Sequence, residues 1–284
     1  MRPFDYIRCA TVEEACAVLD ARRGNARILA GGTDLLIELR RRGAASPGAL
    51  IDISHIGSLH AIASLDGTVR IGPLTTHAEL SRSAIIRREA AFLAAASSGV
   101  GSPQIRNRGT IGGNIMNAAT CADTVPPLVA LGARLTLRSV QGSRDVDIAG
   151  FFEKPYKTHA LENEVLASIA FPALPQTARS AWIKLGRRNA LSIARLSVAA
   201  LLARDPRGVI TEARIVPGAA LPVWGRIAEA ESMLVGEQPS ATLFTAAGRK
   251  ASDVMIGMTG RRWSTAYKEP VLAVLVRRAL EACC

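Results

Sequence analysis

The sequence predicts an α+β protein of more than one domain, and three observations predict it. At 284 residues the chain exceeds the size at which one compact core is the rule. Residues 1–55 alternate helical and strand-like apolar periods, as a small α/β unit does. The last third carries three strand-like runs followed by helical stretches, the order of an α+β domain. Apolar content of 49% and charged content of 21% fit a folded soluble protein.

Taken in order, Thr11-Val12-Glu13-Glu14 is a capping box and opens a helix running to Arg22, closed by Gly24. A strand at 27–29, a glycine turn, a helix at 34–42 and a strand at 50–53 follow. Strands 59–64 and 68–72 flank Asp66-Gly67, a hairpin turn pair. Thr76-His77-Ala78-Glu79 is a second capping box, and 90–98 reads as a small-residue helix. Residues 99–124 fit neither period. Their Gly, Ser, Asn and Thr suggest a long binding loop, anchored by Ile105, Ile111, Ile115 and Met116. A helical turn at 127–131 precedes antiparallel strands at 133–139, 144–148 and 164–171, and 172–178 reads as a linker. Strands at 180–186, 194–203 and 209–216, with a turn at Asp205-Pro206-Arg207-Gly208, lead to helices at 226–235, 240–257 and 268–282.

Two glycine-pair turns carry the chemistry: Ala30-Gly31-Gly32-Thr33-Asp34 and Thr110-Ile111-Gly112-Gly113-Asn114. Glycine admits positive φ and close approach to a ligand, and successive N–H groups in such a turn make a donor site for an anion such as a diphosphate. The first turn joins a strand to a helix, which would aim the positive end of a helix dipole at the same anion. Either turn alone is read first as an ordinary tight turn; two of one type, each with Thr and Asn or Asp beside the glycines, favour a shared ligand. No G-x-G-x-x-G, Walker lysine or G-x-S-x-G pattern is present.

Net charge is +11, but the arginines sit in scattered pairs and aromatic residues are only 4% of the chain, so nucleic-acid binding is not expected. An acidic partner or an anionic ligand suits the charge better. The N-terminal Met1–Tyr6 lacks the apolar core of a secretory signal and no run is long enough to span a membrane, so a cytoplasmic protein without membrane insertion is expected. The odd, scattered set Cys9, Cys16, Cys121, Cys283 and Cys284 suits a reducing compartment and shows no cluster-ligand spacing. Cys283 and Cys284 are expected to be exposed. The four histidines show no metal-ligand spacing either, so no metal is expected on this chain.

Several segments together resemble one family. They are Ile28 to Leu35, Pro103 to Asn107 leading into Thr110 to Ile115, Ala122-Asp123, Glu164 to Ile169, and Trp182 to Arg188. In order and spacing these resemble the FAD-binding subunit of the xanthine dehydrogenase family of molybdenum hydroxylases. The resemblance implies a two-lobed FAD-binding domain of the PCMH/vanillyl-alcohol-oxidase type at 1–175, with lobes at about 1–57 and 58–175. A CO dehydrogenase flavoprotein-like C-terminal α+β domain would occupy 176–284. It also implies two partners, a [2Fe-2S] subunit and a molybdopterin-binding large subunit, commonly in a heterotrimer.

Carried over by position, the resemblance lays Leu29, Ala30, Gly31, Gly32, Thr33, Asp34, Leu35 and Leu36 along the FAD diphosphate. Thr110, Gly112, Gly113 and Asn114 would close over the same cofactor from the second lobe, and Asp123 would accept from its hydroxyls. Leu166 and Lys184 would touch the isoalloxazine end, where a cation favours negative charge on the ring. Read without the resemblance, Asp123 is equally a helix N-cap near Thr124, whereas Lys184 is read first as a strand lysine facing water. Val100 replaces an aromatic residue of some relatives. Ser192 stands where many carry an acidic residue beside the electron acceptor, leaving the acceptor open. Arg187 and Arg188 are read as meeting a dinucleotide phosphate, a partner carboxylate or solvent, and Cys121 as a small buried residue.

The implied function is electron transfer, from the partner's clusters through FAD to NAD, oxygen or a quinone, with hydroxylation on the large subunit. No residue of this chain is assigned to bond-making chemistry. The alternative is a stand-alone PCMH-type flavin oxidoreductase acting on its own small substrate. That reading lacks a substrate-side base, since no histidine lies in the second loop or near Lys184.

Overall fold

A computed structural model describes residues 3–41 and 46–284. Met1, Arg2 and Arg42, the last residue of the helix expected at 34–42, lie outside the described residues. In the first lobe, β1 (Asp5–Arg8), α1 (Val12–Arg22), β2 (Ala26–Leu29), α2 (Leu35–Arg40) and β3 (Ala49–Asp52) build a parallel sheet ordered β1-β3-β2. The Thr11 hydroxyl caps α1 by accepting from the Glu14 N–H at 3.1 Å, while the Glu14 carboxylate accepts from the Ala10 N–H at 2.7 Å. Arg23 and Gly24, with φ of 47° and 79°, turn the chain out of α1. Its buried face, Val12, Ala15, Cys16 and Leu19, packs with Ile51 and Ile53 and with Leu74 and Val165 of the second lobe. Strand β1 was not expected from the sequence.

The second lobe starts with β4 (Ile62–Leu65) and β5 (Thr68–Ile71), joined through Asp66 and Gly67 with φ of 49° and 70°. Short helices follow: α3 (His77–Arg82), α4 (Ala84–Glu89), α5 (Ala91–Ser98), α6 (Pro103–Arg106), α7 (Ile111–Asn117) and α8 (Val125–Ala130). Strands β6 (Arg134–Ser139), β7 (Gly142–Asp147), the small hairpin β8 (Phe152–Lys154) with β9 (Lys157–Thr158), and β10 (Val165–Pro172) complete it. The five-stranded antiparallel sheet is ordered β4-β5-β10-β6-β7. Residues 99–124 are therefore not the irregular loop the sequence suggests. Ser102 caps α6 ahead of Pro103, and Thr110 caps α7, so Gly112 and Gly113 sit in a first helical turn.

The C-terminal sheet is antiparallel, β11 (Ala178–Leu185), β12 (Leu196–Arg204) and β13 (Ile210–Gly218), covered by α9 (Ala228–Ser232), α10 (Ala241–Thr259) and α11 (Thr265–Glu281). Alternation along β12 divides two cores. Leu196, Val198, Ala200 and Leu202 face the helices, while Ala199 joins the core of the second lobe with Val216 and Trp224. The residues read as a linker shrink to 173–177, because β10 and β11 extend from either side. Cys283 corrects the expected exposure of the last two cysteines: it is 1% exposed, and its thiol donates to the Ala279 carbonyl. Cys284 is exposed.

Candidate flavin site between two lobes and the C-terminal sheet

The first glycine turn leaves β2 after the Leu29 carbonyl accepts from the Ile53 N–H at 3.1 Å. Gly32 has φ 74°, and Leu29 and Leu36 pack about it, so a β-branched residue is excluded on both counts. Gly31 abuts the other lobe: a Cβ there would lie 2.0 Å from the Arg108 carbonyl oxygen and 3.1 Å from the Gly109 Cα. Among the described residues, nothing accepts from the N–H groups of Gly31, Gly32, Thr33, Asp34 or Leu35. A row of free N–H groups, half-buried at Gly31, Gly32, Thr33 and Leu35, is a donor set suited to an anion. Asp34 is exposed and caps nothing with its side chain, and α2 has only 6 residues. The turn's own amides are therefore the larger source of positive potential beside the helix end.

The second glycine pair works differently. Its amides are already engaged: Ile111 N–H donates to Thr75 O (3.0 Å), Gly112 N–H to Pro73 O (2.8 Å) and Gly113 N–H to the Thr110 hydroxyl (3.0 Å). Gly112 is required because a Cβ would sit 2.5 Å from that of Pro73. What this segment leaves open is the Asn114 side chain. Its Oδ1 accepts from the Thr124 hydroxyl at 2.8 Å, and its NH₂ has no partner among the described residues. The expectation of two matching amide cradles is thus corrected, since helix α7 and Pro73 consume the second set.

Asp123 and Lys184 take neither the cap role nor the solvent-facing role read for them without the resemblance. Thr124, not Asp123, occupies the N-cap of α8. Lys184 is turned inward, its side chain 12% exposed against 7% for Asp123, and its Nζ donates to Asp123 Oδ2 at 2.6 Å and to the Gly99 carbonyl at 3.0 Å. Burial pushes the Asp123 carboxyl up to about 6 despite the opposing pull of Lys184. Asp123 Oδ1 is fully buried and accepts from nothing among the described residues, which leaves it an uncommitted acceptor. Trp182, two residues before Lys184 and so on the same face of β11, lies over Gly99, where a Cβ would meet its ring at 2.8 Å. Trp182 and Gly99 were not chosen from the sequence, although the period-2 spacing to Lys184 would have found the tryptophan.

Leu166 is buried where the β10–β6 register shifts, in the core of the second lobe. Arg188 folds back, its guanidinium donating to the Ala190 and Leu191 carbonyls. Ser192 accepts from the Arg187 N–H at 3.0 Å, and Cys121 is half-buried beside Asp123 and Lys184.

Residues 2–174 match the model of the FAD binding domain in molybdopterin dehydrogenase, and 181–283 match that of the CO dehydrogenase flavoprotein C-terminal domain. The chain belongs to the FAD-binding subunits of the molybdenum hydroxylases. It is 37% identical over 228 residues to the xanthine dehydrogenase FAD-binding subunit of Escherichia coli O157:H7, covering 80% of this chain and 77% of that one. It is 31% identical to subunit alpha of the 6-hydroxypseudooxynicotine dehydrogenase complex of Paenarthrobacter nicotinovorans, over 99% and 95% of the two chains. Among solved structures, a carbon monoxide dehydrogenase of Hydrogenophaga pseudoflava superposes with a TM-score of 0.92 at 32% identity, covering 100% of this chain and 98% of that one. The family is one of oxidoreductase subunits, and its cofactor is FAD. The residues fit that cofactor, with five unpaired amides for a diphosphate and one unpaired buried carboxylate oxygen for a hydroxyl. No described helix of the flavoprotein subunit is long and apolar enough to cross a membrane.

Proposed function

We propose that this chain is the electron-transfer flavoprotein subunit of a multi-subunit molybdenum hydroxylase. It would take electrons from [2Fe-2S] clusters on one partner and deliver them to NAD, or to oxygen or a quinone, while a molybdopterin-binding large subunit hydroxylates the substrate. The carrying observation is that unpaired donors of the first lobe and an unpaired acceptor of the second belong to one chain that matches the family along its length. Bound FAD supplies the exchange of one and two electrons. The N–H groups of Gly31 to Leu35 would hold the diphosphate, with Leu29, Ala30 and Leu36 the neighbouring residues of the same turn. Thr110, Gly112, Gly113 and Asn114 form the facing wall, with the Asn114 NH₂ as its free donor. Asp123 Oδ1 accepts from a cofactor hydroxyl. Leu166 walls the isoalloxazine end, and Lys184, fixed by Asp123 and the Gly99 carbonyl, sets a positive charge there.

We place the boundary between the FAD-binding and C-terminal domains at 175/176 and the complex in the cytoplasm. The test is expression of the chain alone, followed by its visible spectrum. A yellow protein with about one FAD per chain, inactive as a hydroxylase until mixed with its partners, is expected. A colourless protein that ignores added FAD overturns the reading.

A further inference from the structure

Three cations meet where α11 begins, and none of them has a carboxylate partner among the described residues. The connection between α10 and α11 fixes the first. The Arg262 N–H donates to Thr265 Oγ1 at 2.8 Å, and its guanidinium Nε to the Thr259 carbonyl at 3.0 Å. Further along, in α11, Lys268 Nζ donates to the Ala219 carbonyl at 2.7 Å. The third, Arg195, precedes β12 with its backbone N–H on the Leu185 carbonyl and its side chain exposed. Burial pushes the Lys268 ammonium below its ordinary pKa, and the Arg262 and Arg195 charges push it the same way. Glu269, next along α11, is already taken by Arg261 at 3.0 Å. Large apolar groups neighbour these residues and stand in solvent: Trp263 after Arg262, 93% exposed, Tyr267 before Lys268, and Met258 before Thr259.

Like charges repel at close range, so three gathered without a carboxylate suit a negative partner. Small anionic ligands are held in concave pockets, whereas Trp263 stands almost free in solvent. Trp, Tyr and Arg on an open face are the side chains that carry most binding energy between proteins. The face also adjoins the flavin site. Ala219, which Lys268 grips, donates its N–H to the Thr120 carbonyl at 3.1 Å, and Cys121, next after Thr120, lies beside Asp123 and Lys184. Of the two partners of the complex, the one that needs this nearness is the one that hands electrons to the flavin. We propose that this face docks an acidic surface of the [2Fe-2S] subunit, with Trp263 as its anchor and Arg195, Arg262 and Lys268 as its charge partners. The inference rests on the flavin reading above.

The test compares wild type with Trp263→Ser, Arg262→Glu and, as a control in the β4–β5 hairpin, Leu65→Ser. Each flavin-loaded chain is titrated by calorimetry with the purified [2Fe-2S] subunit at low and at high salt. All three positions are exposed, so FAD content and melting point should match wild type. Trp263→Ser should weaken binding about thirtyfold. Arg262→Glu should weaken it at low salt and much less at high salt, where screening already removes the attraction of exposed charges. Leu65→Ser should bind as wild type does. Wild-type affinity in Trp263→Ser, a salt-independent loss in Arg262→Glu, or an equal loss in Leu65→Ser overturns the proposal while the chain is still yellow. So does a yellow wild type that ignores the [2Fe-2S] subunit, or one from which excess NAD displaces it, the mark of a dinucleotide site. Variants that keep the [2Fe-2S] subunit and shed only the large subunit from the assembled complex overturn it too. A wild type that binds no FAD overturns the flavin reading beneath it as well.

Discussion

Replacing Lys184 by methionine should destabilise the cofactor-free protein in alkaline buffer and hardly at all in acid. The carboxyl of Asp123 is raised from its ordinary 3.8 to about 6. A raised pKa means stability that is complete below about pH 4 and lost as the pH climbs through about 6, because the unfolded chain ionises more easily. At about 1.36 kcal/mol per unit, the ionised Asp123 already costs wild type about 3 kcal/mol at neutral pH and above. Methionine removes both the 2.6 Å ion pair and the bond to the Gly99 carbonyl, and breaking a buried pair costs about 3–5 kcal/mol. Protonation caps that loss. Holding Asp123 neutral at about pH 8 costs about 6 kcal/mol in all, so the variant can lose at most about 3 kcal/mol more than wild type. At about pH 5 the folded carboxyl is protonated in both proteins and the electrostatic difference vanishes. Calorimetric melts should show a gap of roughly 5–10 °C at the higher pH, closing at the lower. Adding Asp123→Asn should close it everywhere. An equal loss at both pH values would refute the assignment, leaving only packing to explain it.

FAD should bind more tightly as the pH rises through about 6, since a hydroxyl donor to Asp123 favours its carboxylate; fluorescence titrations with a flat profile would contradict this. Gly31→Ala drives a methyl group to 2.0 Å from the Arg108 carbonyl, so it should open the seam between the lobes and yield colourless protein; retention of full flavin absorbance would count against the site. Iodoacetamide under native conditions should label Cys284 and spare Cys283, whose thiol burial pushes up to about 12; peptide mass spectrometry reads the outcome, and equal labelling would be the adverse one.

The elements whose signals are local were legible in the sequence. The Thr76–Glu79 capping box, the Thr11 cap of α1 and the Asp66-Gly67 hairpin lie where their residues put them, because caps and turns are decided within four residues. The box expected at Thr11 is half formed, since Glu14 reaches the Ala10 N–H rather than that of Thr11. Helices α6 and α7 were hidden by glycine and asparagine, which read as loop until Ser102 and Thr110 are seen capping them. Strand β1 is recognisable only by its partner β3, and the burial of Cys283 only by the sheet beneath it. At the site, the first turn and the Asp123 and Lys184 side chains could be singled out from the chain alone. Their pairing, across 61 positions, could not. Nor could the fate of the second glycine pair, whose amides are taken by Pro73 and Thr75 on another segment.

Strand β11 opens the C-terminal sheet, yet its Lys184 neutralises a carboxylate of the flavin lobe and its Trp182 roofs Gly99 there. A polypeptide cut within 173–177 therefore parts two halves that do not divide the labour as their sequences do. The N-terminal piece would keep every donor for the diphosphate and forfeit the counter-ion of Asp123. Supplying residues 176–284 as a separate piece should restore flavin retention by reassembly, whereas an intact sheet carrying methionine at position 184 should restore shape without it.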